Sequence, residues 1–480
     1  MRHPLFLYDS LSRKKEQFIP INSPHVGLYV CGPTVYSKPH LGHIRMSITF
    51  DILYRYLLFL GYKVRYVRNI TDVGHLENEI TEGGEDKILK KAKLEQLEPM
   101  EIAQKYKLEF QHVLEKLNIL PPSIEPLASG HIIEQQTMIQ KIIDNGFAYE
   151  QNGSIYFDLE KYSQIYKYGK LSGKKIEDLI FTTQDLNNQT EKKNLIDFAL
   201  WKKADVNHIM QWPSKWGAGF PGWHIECSAM STKYLGETFD IHGGGLDLQF
   251  PHHECEIAQA IAANDKIPVK YWIHNNMITI NKQKMARSLN NFITLENISY
   301  TPMVLRFFIL QTHYRSTIDF SDKALQAAEK GLKRLMEGFQ VLLSLKPSTN
   351  SSFDIISLEQ KCYNAMNDDL NYPLLLAHLF DGIKLINRTK NNKETLLQSD
   401  INTLITLYRV FLFNILGLEE EINHKTSNQI QSDLIDLLLN LRINAKNNND
   451  FILSDKIRDS LNSFGIEVQD NKHSTEWKFK

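Results

Sequence analysis

The sequence predicts an α/β protein: a parallel sheet with crossover helices, interrupted by a long insertion and followed by a mostly α-helical region. Three observations predict it. Residues 26–72 read as strand, helix, strand; residues 238–265 repeat the strand-to-helix pattern; and from about Tyr300 onward helical periodicity dominates. At 480 residues the chain also exceeds one domain of about 100–200 residues, so several are expected.

VGLYVCG (26–32) is a short apolar run ending at Gly32-Pro33. After it, Ile44, Ile48, Ile52, Leu53, Tyr56, Leu57 and Leu60 recur at helical spacing, and Gly61 is a natural stop. KVRYVRNITD (63–72) resumes a β-rich pattern, so this unit belongs to a parallel sheet whose ligand crevice lies at the first strand's C-terminal end. NGSIYFDLEKYSQIYKYGKLSG (152–173), with its aromatics, glycines and short apolar runs, suggests a β-containing insertion. TFDIHGGGLDLQFPHHECEIAQAIAAND (238–265) suggests a strand to His242, a glycine turn and a helix through Ala263. The clearest later helices are YTPMVLRFFILQTHYR (300–315) and LLLAHLFDGIKLINR (374–388), and the polar runs 345–354 and 420–429 read as linkers. No internal repeat is evident.

Composition excludes little. Hydrophobic residues are 42% and charged residues 23%, ordinary for a globular protein. With 55 basic against 56 acidic side chains, a nucleic-acid partner must be held by local patches. Cys31, Cys227, Cys255 and Cys362 are too few and too scattered for a secreted disulfide scaffold, so reduced thiols and a cytoplasmic location are expected. The N-terminus lacks the apolar core of an export signal, and the longest apolar stretch, VFLFNILGL, is broken by Asn414, so no membrane span is expected.

Four short motifs carry chemistry. PHLGH (39–43) lies between the first strand and its helix, where exposed helix N–H groups favour an anion, and His40 and His43 can donate to phosphoryl oxygens. KMARS (284–288) offers Lys284, Arg287 and Ser288 beyond a probable strand; alone, such a loop is usually just solvated. In HGGGLD (242–247) the glycines admit a flat ligand onto the backbone and Asp247 can accept from ribose hydroxyls. FPHHECE (250–256) places five proton- or metal-binding side chains in a row; on a helix His252 and Glu256 share a face, whereas His253 and Glu254 are expected to point elsewhere.

PHLGH, GWHIECSAM (222–230), HGGGLDLQFPHHE and a KM-x-basic-S loop, in that order, resemble the cysteinyl-tRNA synthetase family, and MNDDLNYP (366–373) and TEW (475–477) extend the likeness along the chain. The resemblance implies a Rossmann-like class I synthetase catalytic domain with an insertion, followed by a mostly α-helical anticodon-binding region. The expected divisions are a catalytic first half at 1–120, a connective insertion at 121–205 and a catalytic second half at 206–299. A stem-contact region at 300–345, an anticodon-binding domain at 346–422 and a small C-terminal domain at 423–480 follow.

The resemblance further implies one zinc ion per chain on Cys31, Cys227, His252 and Glu256, with His224 and His242 lining the amino-acid pocket. It implies that Trp223, Gly243, Gly244, Asp247 and Lys284 bind ATP with its Mg²⁺, and that His40, His43, Lys284 and Arg287 are catalytic. Trp477 is expected to contact tRNA. The expected activity is ATP-dependent joining of L-cysteine to tRNA(Cys) through a cysteinyl-adenylate, by a monomer. Zinc suits the selection problem, since shape alone separates cysteine from serine poorly while a metal prefers thiolate sulfur. Two departures stand out: Cys255, a rival ligand where the family more often has asparagine, and Ala286 with Arg287 in place of the usual KMSKS residues. A mycothiol-type cysteine ligase shares the adenylate chemistry but lacks a full anticodon-binding region, and a non-catalytic zinc protein descended from a synthetase would not need the phosphate motifs. The 345–354 run implies that activation survives in a chain ending near Ser352.

Overall fold

In the computed structural model, which describes residues 4–78, 83–174, 192–205, 208–285, 289, 291–420, 424–470 and 475–479, the two N-terminal apolar runs become strands β1 (His25–Val30) and β2 (Lys63–Arg68) around helix α1 (Leu41–Phe59). They pair in parallel from His25↔Lys63 to Val30↔Arg68. Parallel strands cannot be joined by a tight turn, so the chain crosses the sheet, and α1 is the crossover. It is buried on most sides, with Ile44, Ile48, Phe50, Ile52, Leu53, Tyr56 and Leu57 inside together with the polar Arg45, Ser47, Thr49 and Asp51, because other segments cover the side that the sheet does not.

Helix α2 (Trp223–Leu235), strand β3 (Phe239–Gly245), helix α3 (His252–Asn264) and strand β4 (Val269–Asn275) complete this layer. The sheet order is β4-β3-β1-β2, all parallel. The expected glycine turn after His242 is a strand instead: β3 runs through Gly245 with every residue buried. Its glycines serve packing. A Cβ on Gly243 would lie 2.1 Å from the Phe50 ring of α1, and one on Gly244 would lie 2.8 Å from the His253 ring of α3.

The insertion carries a helix at Ile132–Asp144 and a four-stranded antiparallel sheet of Ala148–Gln151, Ser154–Phe157, Phe198–Lys203 and Gly219–Pro221. Its core of Ile139, Ile155, Phe157, Leu200 and Trp201 continues into Ile225 of α2 and Cys255 and Ala258 of α3.

Beyond β4 the chain forms β5 (Ile278–Ile280), β6 (Gln283–Lys284), α4 (Pro302–Leu310), β7 (Ile318–Phe320) and α5 (Asp322–Leu343). Strands β6, β5 and β7 make a small sheet in that order, with β5 parallel to β7. Three helices follow, α6 (Ile355–Asn367), α7 (Tyr372–Lys390) and α8 (Gln398–Tyr408). One hydrophobic core runs from Leu5 to Leu418.

The 345–354 run is no loose linker: Ser348 N–H donates to Leu396 O at 2.8 Å and Ser352 N–H to Thr395 O at 3.0 Å. The chain divides into compact bodies at 1–419 and 420–480. In the second, α9 (His424–Asn447) begins inside the other expected linker, followed by α10 (Phe451–Ser463) and the antiparallel pair β8 (Ile466–Asp470) and β9 (Thr475–Phe479). Ile435, Leu439, Leu461 and Ile466 form its small core. Among the described residues no helix is long and apolar enough to cross a membrane.

Candidate active site

Cys31 follows β1, Cys227 lies on the second turn of α2, and His252 and Glu256 begin α3, so sheet topology brings four distant residues to one end of the sheet. All four are buried, and their donor atoms lie within 4.8 Å of one another. The Cys31 and Cys227 sulfurs are 3.8 Å apart, His252 Nε2 is 3.4 Å from Cys227 Sγ, Glu256 Oε1 is 3.2 Å from His252 Nε2, and Cys31 Sγ is 3.8 Å from Glu256 Oε1. A tetrahedral zinc with bonds of ~2.3 Å to sulfur and ~2.1 Å to nitrogen or oxygen sets its ligand atoms about 3.4–3.8 Å apart. The donor set and its spacing therefore fit zinc.

A second group of suitable donors combines Cys31 and Glu256 with His242 and His253. His253 does not point elsewhere, as its spacing had suggested: its Nε2 lies 3.4 Å from Cys31 Sγ. Residues three apart share a helix face as well as those four apart, so His253 reaches the cluster beside Glu256. Its Nδ1 is 2.8 Å from His274 Nε2, and His274 Nδ1 is 2.8 Å from Ser10 Oγ. Glu254 does turn away, accepting from the Ser172 and Gly169 amides. Cys255 is not in either donor group; it packs in the insertion core, 3.5 Å from the Tyr168 hydroxyl.

Charge in the cluster is paired. Burial works to raise the Glu256 carboxyl, but His242 and His252 outweigh it and hold the group at about 2. Burial works to lower His252, yet Cys31 and Glu256 push it up to about 10. Burial and the Cys31 charge keep the Cys227 thiol high, whereas Cys31 is held below the ordinary thiol range by Cys227 and His252 against the pull of burial. Glu256 and Cys31, pushed toward their anionic forms, face His242 and His252, pushed toward their charged forms, so a dication bound there would take the place of protons.

His224 and Trp223, at the start of α2, both pack on His252. The His224 and His252 Nδ1 atoms are 2.9 Å apart, and the Trp223 and His252 ring centroids 4.4 Å. His242 lies behind the cluster, Nε2 at 2.9 Å from Glu256 Oε2, with its ring stacked on Trp272. Sequence reading missed His75, which stacks on Trp223 with centroids 4.2 Å apart, and whose ring nitrogens reach Thr34 Oγ1 and Lys87 Nζ. The available signal was position: NITDVGHL (69–76) leaves β2 at the same end of the sheet where Cys31 leaves β1.

The phosphate candidates sit at the N-terminus of α1. His40 is its cap, with Nδ1 accepting from Gly42 N–H at 3.0 Å, and His43 Nδ1 accepts from His40 N–H. With both Nδ1 atoms accepting, Nε2 carries the proton in each ring and is the donor. The rings stack 3.8 Å apart. The segment bearing Lys284 runs past them: a Cβ on Gly42 would lie 3.8 Å from Met285 Cε, Phe292 packs edge-on against His40, and Leu41 N–H donates to Ile293 O. Lys284 is exposed; Arg287 lies outside the described residues. Asp247 is exposed just past β3, its carboxylate over Gly245. Trp477 is half-buried on the small core of the second body, its indole N–H donating to Asp436 at 3.0 Å.

Residues 17–330 match the family described as tRNA synthetases class I (C) catalytic domain, and residues 361–420 match the DALR domain. The chain is 56% identical to the cysteine--tRNA ligase of Porphyromonas gingivalis, covering 100% of both proteins. It is 45% identical to that of Chlorobium luteolum, covering 99% of each. Among solved structures it is similar in fold to Mycobacterium tuberculosis methionyl-tRNA synthetase, with TM-score 0.57 and 14% identity, over 83% of this chain and 92% of that one. Full-length identity to the cysteine ligases, on a sheet that ends in two cysteines, a histidine and a glutamate, makes this chain a member of the cysteine--tRNA ligase family of class I tRNA synthetases.

Proposed function

We propose that the enzyme joins L-cysteine to tRNA(Cys) in two steps, through a cysteinyl-adenylate, selecting its amino acid with zinc held by Cys31, Cys227, His252 and Glu256. The observation that carries this reading is the near-tetrahedral spacing of those donors at the sheet end that also presents His40 and His43. Zinc bound there supplies an electrophile that takes thiolate sulfur far better than hydroxyl oxygen. Trp223 and His224, packed on His252, wall the cysteine pocket; that packing supports assigning Trp223 to cysteine rather than to adenine. His242 orients Glu256 from behind.

The cysteine carboxylate oxygen attacks the α-phosphorus of ATP, an acyl-phosphate C–O–P linkage forms as the bond from the α-phosphorus to the bridging β-phosphate oxygen breaks, and pyrophosphate leaves; Mg²⁺ bound with the ATP would offset the charge of its phosphates. No protein nucleophile takes part. His40 and His43 donate from Nε2 to the phosphates, with the α1 N-terminus behind them, and Lys284 and Arg287 neutralise the departing pyrophosphate. Asp247 holds the ribose, while Gly243 and Gly244, beside which the Phe50 and His253 rings take the space, serve packing rather than the nucleotide. A terminal tRNA ribose hydroxyl then takes the cysteinyl group and AMP leaves, while the helical region with its DALR match, and Trp477, engage the tRNA. That match also weighs against a mycothiol-type ligase. The test is cysteine-dependent ATP–pyrophosphate exchange by the purified chain, with metal analysis. One zinc per chain, exchange lost on chelation and none with serine are expected; exchange that persists in metal-free protein would remove zinc from the reading.

A further inference from the structure

MNDDLNYP (366–373) has no part in the reaction above, yet its Asp369 is fully buried where three segments meet. Its carboxylate accepts from the Tyr8 amide at 2.8 Å, from the Tyr314 hydroxyl and from Arg315 Nε at 2.6 Å. Its amide donates to Phe6 O, and its carbonyl lies 3.0 Å from His313 Nε2. The backbone bends to allow this. Asp369 and Leu370 have φ of 61° and 53°, in the left-handed region, which costs a non-glycine residue on the order of 1 kcal/mol each and persists only where surroundings over-determine it.

The segment that Asp369 grips, 313–316, is also held by Arg45. That guanidinium, on α1 two residues after His43, donates to the carbonyls of Met277, His313, Tyr314 and Ser316. Segment 313–316 leads into β7, which pairs with β5 through Ile278↔Ile318, Thr279↔Asp319 and Ile280↔Phe320. Strand β5 in turn pairs with β6, where Thr279 faces Lys284. A short chain of hydrogen-bonded backbone therefore links a carboxylate in the helical region to the lysine that opens the 284–288 loop, and Arg45 ties the same chain to the helix bearing His40 and His43.

We propose that Asp369 is a positioning residue for cysteine activation: by fixing segment 313–316 it sets, through β7 and β5, where Lys284 stands against His40 and His43. This rests on the assignment of Lys284 to the ATP phosphates. A carboxylate that only stabilised the fold would change the melting temperature and leave turnover alone. One that positions the loop changes kcat more than KM for cysteine, because the loop acts on charge that develops as pyrophosphate leaves.

The test uses the full chain. In Asp369→Asn the new side-chain carbonyl can still accept from Tyr8 and Tyr314, but an NH₂ turns toward Arg315. The kcat of cysteine-dependent ATP–pyrophosphate exchange is expected to fall about tenfold, with KM for cysteine and zinc content within about twofold. Arg315→Met, at a side chain 34% exposed, should give the same loss, and the double variant no more than either single one. Arg315→Lys should recover most of the rate. Unchanged kcat with a lower melting temperature, or losses that multiply in the double variant, would overturn the proposal. Should Asp369→Asn not fold, the two Arg315 variants decide it alone. A wild-type chain without cysteine-dependent exchange overturns the functional reading, and this proposal with it.

Discussion

Glu256 has both carboxylate oxygens engaged, Oε1 at 3.2 Å from His252 Nε2 and Oε2 at 2.9 Å from His242 Nε2. Glu256→Gln removes the charge and turns an NH₂ toward one of those histidines, so zinc affinity in a chelator competition should fall by on the order of a hundredfold. Cys255→Ala should keep its full zinc and lose only about 1 kcal/mol of stability, since it empties a sulfur's space in an apolar core. Zinc lost from the alanine variant and retained by the glutamine variant would reverse the ligand assignment. At the other end of the site, charge grows on pyrophosphate as its bond breaks, so Arg287 should act on kcat more than on KM. Arg287→Ala should slow single-turnover adenylate formation about a hundredfold, roughly 3 kcal/mol, and Arg287→Lys by less than about tenfold, since lysine keeps the charge but not the planar fork. An alanine variant with the wild-type rate would remove Arg287 from the site. The pairing of His252 with Glu256 was legible in the sequence because helix periodicity fixes it. Where Trp223 packs was not, because a ring's neighbours come from other elements; only the fold brings His75 and His252 against it.

Helix α1 and its flanking strands were legible because apolar spacing and a glycine stop agree with one another. The HGGG stretch was not, since glycine marks a turn and a close approach equally well; here the ring of Phe50 and the ring of His253 occupy the space that Cβ atoms would need. The 345–354 run misled for a related reason. Polar side chains report solvent, while Ser348 and Ser352 are pinned through backbone amides. A buried arginine on α4 makes a comparable tie between distant elements. Arg306 is 0% exposed and donates to Leu416 O, to Leu117 O and to the Asp51 carboxylate, which Arg55 also holds. Arg306→Met leaves those carbonyls unpaired and Asp51 with one partner fewer, so stability should fall by about 3 kcal/mol. Chemical denaturation of the full chain measures this. A midpoint unchanged from wild type would mean that Arg55 and water replace the guanidinium.

Across the whole molecule, these ties decide where the chain can be cut. A chain ending near Ser352 keeps every motif that the sequence assigns to activation, which is why the two activities looked separable there. It loses Asp369, however, and leaves Tyr314, Arg315 and Tyr56 without the partners that MNDDLNYP provides. It also cuts through the core that runs from Leu5 to Leu418. Ending the chain at Glu419 leaves that core whole and removes only the second compact body. The expected outcome is that the longer chain keeps cysteine-dependent exchange within about twofold of wild type while the shorter one loses it. Charging of tRNA should separate from exchange only at the longer cut. With 55 basic and 56 acidic residues there is no overall positive field to hold a polyanion, so each local contact weighs on affinity. Loss of Trp477 and its surroundings should raise KM for tRNA by about tenfold, the scale of one aromatic stack on a base at ~1–3 kcal/mol, with little change in KM for cysteine. The deciding measurement is charging against exchange in the same preparation of each chain. Undiminished charging by the chain ending at Glu419 would take Trp477 out of the tRNA interface, and exchange by the chain ending near Ser352 would show that the catalytic half assembles without Asp369.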